Sequence, residues 1–324
     1  MILVVGATGH VGTTVIRKLT ASGQKVRAFV RPTSAYQHLK DAIIELAFGD
    51  LRDETSVDDA CKGIHAVIAT ATTVSPRGRY SFASIDGKGY QNLVRSCQRQ
   101  SVCQLIFVSA GVTPFDDKIP LLHYKRLTEK CIQESGIPYT IFRGAAFMDA
   151  WLALIGSSLP LRGAENHTLR RPFWFGRIFL KAIGNLIERR GIALIPGSGE
   201  RRNALIALDD VAEFLVKSID HPKAQNAIFE IGGPQVLSWE EVLQIYRTLL
   251  NRPIRAVYSP AKIFRVQQLL LKPFSPAASN LMGLNWVASQ VDSAYDTTEV
   301  AKTFGVTLTS VEEFLRQKAN MPAN

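Results

Sequence analysis

MILVVGATGHVG, residues 1–12, opens the chain and constrains its architecture more than any other segment. A short apolar strand runs directly into a turn with glycine at every third position, Gly6, Gly9 and Gly12, and residues 11–21 then have the pattern of a helix. Glycine permits the unusual backbone angles of such a turn and leaves room for a diphosphate to approach. Because the N–H groups that open the helix then face the phosphates, the segment predicts a dinucleotide site.

The alternative is a glycine-rich turn that only packs a helix against a strand. The spacing G-x-x-G-x-x-G is one residue longer in its first interval than the usual G-x-G-x-x-G fingerprint. A second apolar strand over residues 25–30 follows within the expected distance, and this context favours the dinucleotide interpretation.

The chain has 324 residues, of which 46% are hydrophobic and 20% are charged, as in a globular protein of one large or two modest domains. We find no signal peptide, no membrane-spanning run and no C-x-x-C pair among the four cysteines, which predicts reduced thiols and a cytoplasmic location. No metal site is predicted. The net charge of +10 has no accompanying nucleic-acid motif, so no nucleic-acid partner is predicted and much of the charge is left unexplained.

Apolar strand patterns alternate with helical patterns as far as about residue 143. This alternation predicts an α/β fold in which a doubly wound parallel sheet is covered by helices on both faces. The predicted strands are 2–5, 25–30, 43–47, 65–70, 104–108 and 139–142, and the predicted helices are 11–21, 55–60, 82–100 and 121–135.

Ligands of such sheets bind beyond the carboxyl ends of the strands, so the residues that follow each strand are candidates. Arg31 follows the second strand, where Asp or Glu usually holds a free ribose 2′-hydroxyl. A guanidinium suits a 2′-phosphate, which favours NADP over NAD, and a solvated surface arginine is the alternative. Asp50 follows the third strand and either accepts a hydrogen bond from the adenine amino group or caps a turn.

The later strands are followed mostly by small residues. Ala69, Thr70 and Ala71 come at the end of the fourth strand and let a cofactor lie against the backbone. Ser109 follows the fifth strand, and Phe147 comes shortly after the sixth. Phe147 is a candidate cofactor contact, whereas Ser109 either orients a substrate or only packs at a strand end.

Eight motifs occur along most of the chain in a fixed order. They are GATGHVG (6–12), GDLRD (49–53), DGKGYQNLV (86–94), FVSAGV (107–112), K-x-x-x-E (125–129), SGIPYTIFRG (135–144), LDDVAEFL (208–215) and FEIGGPQVLSWEEV (229–242). In this order they resemble the extended short-chain dehydrogenase/reductase superfamily, and within it the atypical NmrA-like and isoflavone-reductase-like proteins.

The resemblance implies a Rossmann-like NAD(P)-binding domain over residues 1–148, with a sheet completed by parts of 204–231, and a smaller, mostly helical substrate region over 149–324. It implies a dinucleotide and a small-molecule substrate as partners, and Arg31 makes NADP(H) preferred over NAD(H). The positions that it assigns to the cofactor are Gly6, Thr8, Gly9, His10, Val11, Arg31, Asp50, Leu51 and Thr70.

The superfamily's usual catalytic pair is Tyr and Lys, four residues apart on one helix, where Lys lowers the pKa of Tyr and Tyr relays a proton to the substrate. Lys125 matches the lysine position, but Leu121 stands at the tyrosine position. Tyr124 points about 100° away from Lys125 around the helix, so it cannot simply take over the missing role.

Two main hypotheses remain for the function. In the first, an NADP(H)-dependent oxidoreductase uses Lys125 without a tyrosine, as isoflavone-reductase-like enzymes are thought to do, while Ser109 orients a small apolar carbonyl or unsaturated substrate. In the second, Lys125 only holds the cofactor, and the protein is a catalytically silent regulator or assembly factor at a membrane or a protein complex. Epimerase or isomerase chemistry of the sugar-nucleotide type is a third option, which the missing tyrosine disfavours.

The segment 170–190 combines six basic residues with a broad apolar stripe. This composition suits a helix that lies on an anionic membrane surface or docks on a partner protein. A lid over the substrate site is the favoured alternative, because most amphipathic helices pack inward. Residues 262–274 have a similar character, and neither segment specifies an oligomeric state.

Overall fold

The computed structural model describes residues 1–40, 43–73, 76, 78–163 and 183–321. Its strands are β1 (Ile2–Val5), β2 (Val26–Val30), β3 (Ile44–Phe48), β4 (Ala66–Ala69), β5 (Gln104–Ala110), β6 (Tyr139–Gly144), β7 (Ile192–Pro196), β8 (Ala227–Ile231) and β9 (Arg255–Ser259). Its α-helices are α1 (His10–Ala21), α2 (Glu54–Cys61), α3 (Tyr90–Arg99), α4 (Pro120–Gln133), α5 (Met148–Leu154), α6 (Leu186–Arg190), α7 (Leu208–Lys217), α8 (Trp239–Leu250), α9 (Ala261–Leu271), α10 (Pro276–Ala288), α11 (Thr298–Phe304) and α12 (Val311–Ala319). A π-helix spans Ala83–Gly89, and short 3₁₀ turns span Gln37–Leu39, Asp116–Lys118, Leu159–Leu161 and Pro222–Ala224.

Seven strands of the described residues form one sheet in the order β3-β2-β1-β4-β5-β6-β8, and every neighbouring pair is parallel. The direction of strand addition reverses between β1 and β4, which places a crevice at the carboxyl ends of these two strands. The predicted α/β fold with a doubly wound parallel sheet is confirmed. The six predicted strands match observed ones to within two residues at each end.

The two faces of the sheet carry separate hydrophobic cores, because successive side chains of a strand point to opposite faces. In β1, Ile2 and Val4 join a core that also contains buried residues of α1 and α7. Leu3 and Val5 join the other core, together with buried residues of α2 and α3. Strand β1 is therefore buried on both faces, and its packing fixes the position of the glycine turn that follows its carboxyl end.

One predicted helix differs from the observed structure. The sequence predicts a single helix over residues 82–100, whereas the structure has the π-helix followed by α3. Two glycines of the π-helix allow close contacts there: a Cβ on Gly87 would lie 2.9 Å from the Tyr124 ring, and one on Gly89 would lie 3.0 Å from the Cβ of Leu51. π-helical turns are rare in proteins, and those that occur are often found at functional sites.

The C-terminal part of the chain builds a third core, with buried residues of α5, α8 and α12. Strands β7 and β9 form a separate parallel pair that the sequence did not predict. The division at residue 148 stays a prediction. Residues 170–182 of the basic segment lie outside the described residues, and its remainder includes α6, where Ile187 is buried. In the part of the chain that the structure describes, none of the helices combines the length and the apolar character needed to cross a bilayer.

Candidate functional site

The glycine turn between β1 and α1 is held by backbone contacts that leave no room for side chains. Gly6 has a φ of +89°, and a Cβ there would lie 2.6 Å from the backbone nitrogen of Ala71. A Cβ on Gly12 would overlap the carbonyl oxygen of Gly6. The first and third glycines are therefore required for strand, turn and helix to meet at this distance.

The turn presents a row of donors. Gly9 is the N-cap of α1 in an extended conformation, and its own N–H donates to the carbonyl of Gly6 at 2.8 Å. Among the described residues, the N–H groups of His10, Val11 and Gly12 have no hydrogen-bond acceptor. Thr8 is buried beside them in the turn. With no acidic residue in the first turn of α1, this end of the helix is suited to an anionic ligand.

The segment after β4 is held by two buried residues of the helix that follows it. Thr70 and Ala71 lie directly against Gly6, and the Tyr90 hydroxyl donates to the carbonyl of Ala71 at 2.6 Å. Asp86 accepts a hydrogen bond from the hydroxyl of Thr72 at 2.7 Å. Asp86 lies in the π-helix and Tyr90 is the first residue of α3, so both helical segments contact the residues that follow β4.

Lys125 is buried on α4 near the carboxyl end of β5. Its side-chain Nζ donates to the carbonyl of Val108 at 2.7 Å and lies 4.5 Å from the centroid of the Phe107 ring. Only 7% of the residue is exposed. Burial lowers the pKa of Lys125 to about 8, while the nearby carboxylate of Asp86 acts in the opposite direction. Lys125 is therefore not a solvated surface lysine.

The neighbours of Lys125 on α4 have other contacts. The ring of Tyr124 packs against Gly87 of the π-helix. Leu121, at the position that the superfamily gives to tyrosine, donates its backbone N–H to the side-chain oxygen of Asn280 at 3.1 Å. Asn280 is a buried residue of α10, so the C-terminal region covers the start of α4.

Ser109 lies in a buried charge cluster instead of lining an open cleft. Its hydroxyl donates to Glu129, which is 3% exposed. Glu129 also accepts a hydrogen bond from Arg143 at 2.8 Å and forms an ion pair with Arg126 at 2.7 Å. Arg126 in turn pairs with Asp116 at 3.2 Å. The substrate-orienting role of Ser109 stays a prediction, and in the structure its hydroxyl serves to complete this cluster.

The ends of β2 and β3 carry a group of arginines around one tyrosine. The guanidinium carbons of Arg31 and Arg52 lie 5.0 Å and 4.0 Å from the centroid of the Tyr80 ring. Asp50 accepts two hydrogen bonds from the Arg52 side chain, at 2.9 Å and 2.7 Å, and one from its backbone N–H at 3.0 Å. Burial raises the pKa of Asp50, but the hydrogen bonds from Arg52 outweigh it and leave the pKa below its usual value. The turn-capping alternative for Asp50 is thus observed, and its contact with adenine stays a prediction.

Three further predicted positions lie close to the site in different ways. Leu51 is buried, and its carbonyl accepts a hydrogen bond from Asn92 at 2.8 Å. Ala69 is the fully buried last residue of β4. The Phe147 ring lies against Gly144 at the end of β6, and Phe147 and Val11 pack against the same hydrophobic core. All three residues pack against neighbouring parts of the fold, and their contacts with a cofactor stay predictions.

His10 has a neighbourhood that the sequence did not reveal. Its Nε2 lies 4.0 Å from Asp149, whose carboxylate is also 3.5 Å from the Nζ of Lys318. Burial lowers the pKa of His10. The residues 149 and 318 come from α5 and α12, so C-terminal elements reach the glycine turn.

Sequence reasoning missed several residues that the structure brings to the site: Arg52, Tyr80, Asp86, Tyr90 and Asp149. For Asp86 and Tyr90 a signal existed, since they are spaced at one helical turn inside DGKGYQNLV. Tyr80 lies in a loop with no periodic pattern. Among the described residues, no group of three or more His, Cys, Asp or Glu side chains is placed to hold a metal ion.

The fold and the glycine turn define a Rossmann-like α/β protein whose glycine turn lies at the reversal point of its sheet. The chain belongs to the NmrA-like family, whose model matches residues 1–315. This confirms the resemblance seen in the motifs.

Three known proteins illustrate the range of the similarity. The chain is 34% identical over 262 residues to a photosystem II assembly factor of Cyanophora paradoxa. The aligned region covers 80% of this chain and 71% of that protein. It is 24% identical over 258 residues to an NAD(P)H azoreductase of Xenophilus azovorans, covering 79% of this chain and 76% of the relative. An NADPH-dependent quinone oxidoreductase of Escherichia coli, solved in complex with NADPH, superposes with a TM-score of 0.73 at 20% identity, over 99% of this chain and 100% of the other.

Proposed function

We propose that this protein is an NADP(H)-dependent reductase in which Lys125 supplies the proton that accompanies hydride transfer. The observation that carries the proposal is the placement of this lysine, buried beside the carboxyl end of β5 with a pKa of about 8. A group whose pKa lies near the working pH is suited to general acid catalysis. The azoreductase and quinone oxidoreductase among the similar proteins support a reductase of this general kind.

The cofactor site is assigned from the shape and the donors of the crevice. Gly6 and Gly12 leave the backbone uncovered, and the free N–H groups of His10 to Gly12 can bind a diphosphate. Arg31 and Arg52 give the adenosine end two guanidinium groups, which suit the 2′-phosphate of NADP(H). The similar quinone oxidoreductase was solved with NADPH, which supports the same choice.

Lys125 would hold the substrate end of this arrangement. When bound, NADPH supplies a hydride to the carbon of a small apolar carbonyl or unsaturated acceptor. The Lys125 ammonium has three N–H groups, of which one is bonded to Val108, so others are left to hold a ribose hydroxyl and to face the acceptor. It donates a proton to the acceptor atom where negative charge develops, and the neutral amine then regains a proton from water. Asp86 favours the charged form of the lysine before each cycle.

The test is NADPH oxidation by the purified protein with a quinone, an azo dye and an α,β-unsaturated ketone as acceptors. The proposal expects turnover with at least one acceptor class, faster with NADPH than with NADH. Tight NADPH binding without turnover over the whole panel would overturn the reductase assignment and favour the second candidate. Absence of any thermal shift with NADPH or NADH would overturn cofactor binding itself.

The second candidate is an NADP(H)-binding assembly factor without redox activity. It is favoured by the 34% identity to a photosystem II assembly factor and by Leu121, which leaves Lys125 without the usual tyrosine. In this case Lys125 would hold the ribose and no proton would move. NADPH would then stabilise the fold and a partner-binding surface.

The pH dependence of the reaction follows from the pKa of Lys125. Because the protonated amine is the donor, we expect kcat/KM to be level at neutral pH and to fall about tenfold per pH unit above about pH 8. Initial rates of quinone reduction across the alkaline range measure this. A profile that stays level to about pH 10 would exclude Lys125 as the proton donor.

Arg31 is expected to discriminate between the two dinucleotides. In an Arg31→Ala variant, loss of a charge-assisted contact to the 2′-phosphate should weaken NADPH binding about 10- to 100-fold and leave NADH binding nearly unchanged. Titration of both nucleotides by calorimetry measures the ratio. Arg316→Ala, an exposed arginine paired with Glu312 on α12, is the matched control. Equal weakening of NADPH and NADH would remove the 2′-phosphate assignment.

A further inference from the structure

Helix α9 carries large apolar side chains on the side that faces solvent. Ile263, Val266 and Leu270 are 47%, 54% and 65% exposed, and Phe274, just beyond the helix, is 85% exposed. Spacings of three and four residues place the first three on one face of the helix. We call these four exposed apolar residues the α9 stripe. An exposed apolar surface of this kind marks an interaction site.

The opposite face of α9 is fixed to the protein. Gln268 is buried, its side-chain nitrogen donates to the carbonyl of Lys118 at 3.0 Å, and its own carbonyl accepts from Ser279 of α10 at 2.7 Å. Val266 and Leu270 are each two residues from Gln268, which is about 200° around the helix. The stripe therefore cannot turn inward without breaking these hydrogen bonds.

The sequence around the stripe is entirely free of acids. Residues 242–291 contain six Lys and Arg residues and no Asp or Glu. Lys262 and Lys272 lie at the two ends of α9 and are exposed, and among the described residues neither has a carboxylate within ion-pair distance. The stripe thus has a positive charge at each end, and it carries no negative charge that would repel an anionic surface.

We propose that α9 docks on an anionic lipid bilayer, with the stripe inserted among the headgroups and acyl chains and the two lysines reaching phosphate groups. A helix that lies in the interface needs an apolar face and basic residues beside it, and α9 has both. The long lysine stems let the charges stay at headgroup level while the helix is partly buried. Anionic lipid attracts each basic residue near its surface.

A second copy of the chain suits the same surface poorly. In a symmetric dimer the same surface of both copies would form the interface. The lysines at the ends of α9 would then be brought close to the lysines of the other copy. Like charges at an interface disfavour association. A bilayer with anionic headgroups meets the apolar stripe and the lysines together.

The experiment is co-sedimentation of the full-length protein with vesicles of phosphatidylcholine alone and with added phosphatidylglycerol, at low ionic strength. We expect partition into the anionic vesicles, weakened by added salt. A Leu270→Asn/Phe274→Ser variant should partition into the anionic vesicles at least about tenfold less than the wild type. A Lys262→Gln/Lys272→Gln variant should also partition at least about tenfold less. Leu127→Ser and Lys130→Gln on α4 are matched controls, since both residues are exposed there, and neither should alter partition.

Three results would overturn the proposal. One is failure of the wild-type protein to sediment with anionic vesicles. Another is equal partition of the wild type and the stripe variant. The third is a dimer in light scattering without vesicles that the stripe variant dissociates, since a second copy would then be the occupant. Circular dichroism of each variant establishes that the fold is retained, and the test does not depend on the reductase proposal.

Discussion

A Lys125→Met variant is expected to fold and to reduce its acceptor about 10³-fold more slowly than the wild-type protein, within the range of 10²–10⁴ typical of a general acid. Methionine has a similar length but neither a charge nor a transferable proton. The fold should tolerate the change because the buried lysine carries a desolvation cost, which offsets the lost hydrogen bond to Val108. Single-turnover NADPH oxidation measures the chemical step.

A matched variant separates the role of Lys125 from general effects of removing a charge. Lys130→Met changes an exposed lysine on the same helix, whose only ion pair is with Glu134 at 3.8 Å in the described structure. Its turnover should equal that of the wild type. If Lys125→Met keeps more than about a tenth of the wild-type rate, the lysine is not the acid, and its role is limited to holding the cofactor.

The largest expected loss of stability is that of Glu129→Gln, about 3 kcal/mol in the free energy of unfolding. The carboxylate is buried and neutralises Arg143 and Arg126 while it accepts from Ser109. A neutral amide removes the negative charge that faces Arg126 and Arg143, which are both partly buried. Loss of a counter-charge at a buried site destabilises a fold more than loss of an exposed ion pair does. Chemical denaturation with the wild type as reference measures the difference.

Glu134→Gln is the control for the Glu129 substitution. Glu134 is the C-cap residue that follows α4, and it makes an exposed ion pair with Lys130, so its loss should change the free energy of unfolding by less than about 0.5 kcal/mol. If Glu129→Gln also costs less than about 1 kcal/mol, the cluster contributes little to stability. Rescue by salt would indicate that the arginines are solvated.

Much of the parallel sheet could be predicted from the sequence because its inner strands, such as β1, β4 and β5, are buried on both faces. A run such as ILVV needs no alternation, and the glycines after it mark its end. The pair β7 and β9 escaped prediction for the opposite reason. Arg255, Val257 and Tyr258 of β9 are exposed, so the strand has no buried run to recognise. Its pairing with Ile192–Pro196 depends on contacts that the sequence order does not reveal.

The candidate site divides in the same manner. Gly6 to Gly12 could be located because local spacing fixes the geometry of the turn, and Lys125 because it matches the lysine position of the superfamily that the motifs resemble. Ser109 was interpreted from its position after a strand, but the partner that engages its hydroxyl, Glu129, lies on another element. Tyr80 and Arg52 meet across a loop and a strand end. These are tertiary contacts between residues far apart in the chain, and no periodic pattern in a single sequence predicts them.

The contact between Gly6 and Gly12 has a consequence for how a ligand binds. Because backbone meets backbone there, the turn has almost no conformational freedom to lose on binding the proposed dinucleotide. The segment after β4 is fastened in the same state by Asp86 and Tyr90. The crevice is therefore preorganised: little affinity is spent on ordering this end of it, and more of the interaction energy is left to distinguish one nucleotide from another.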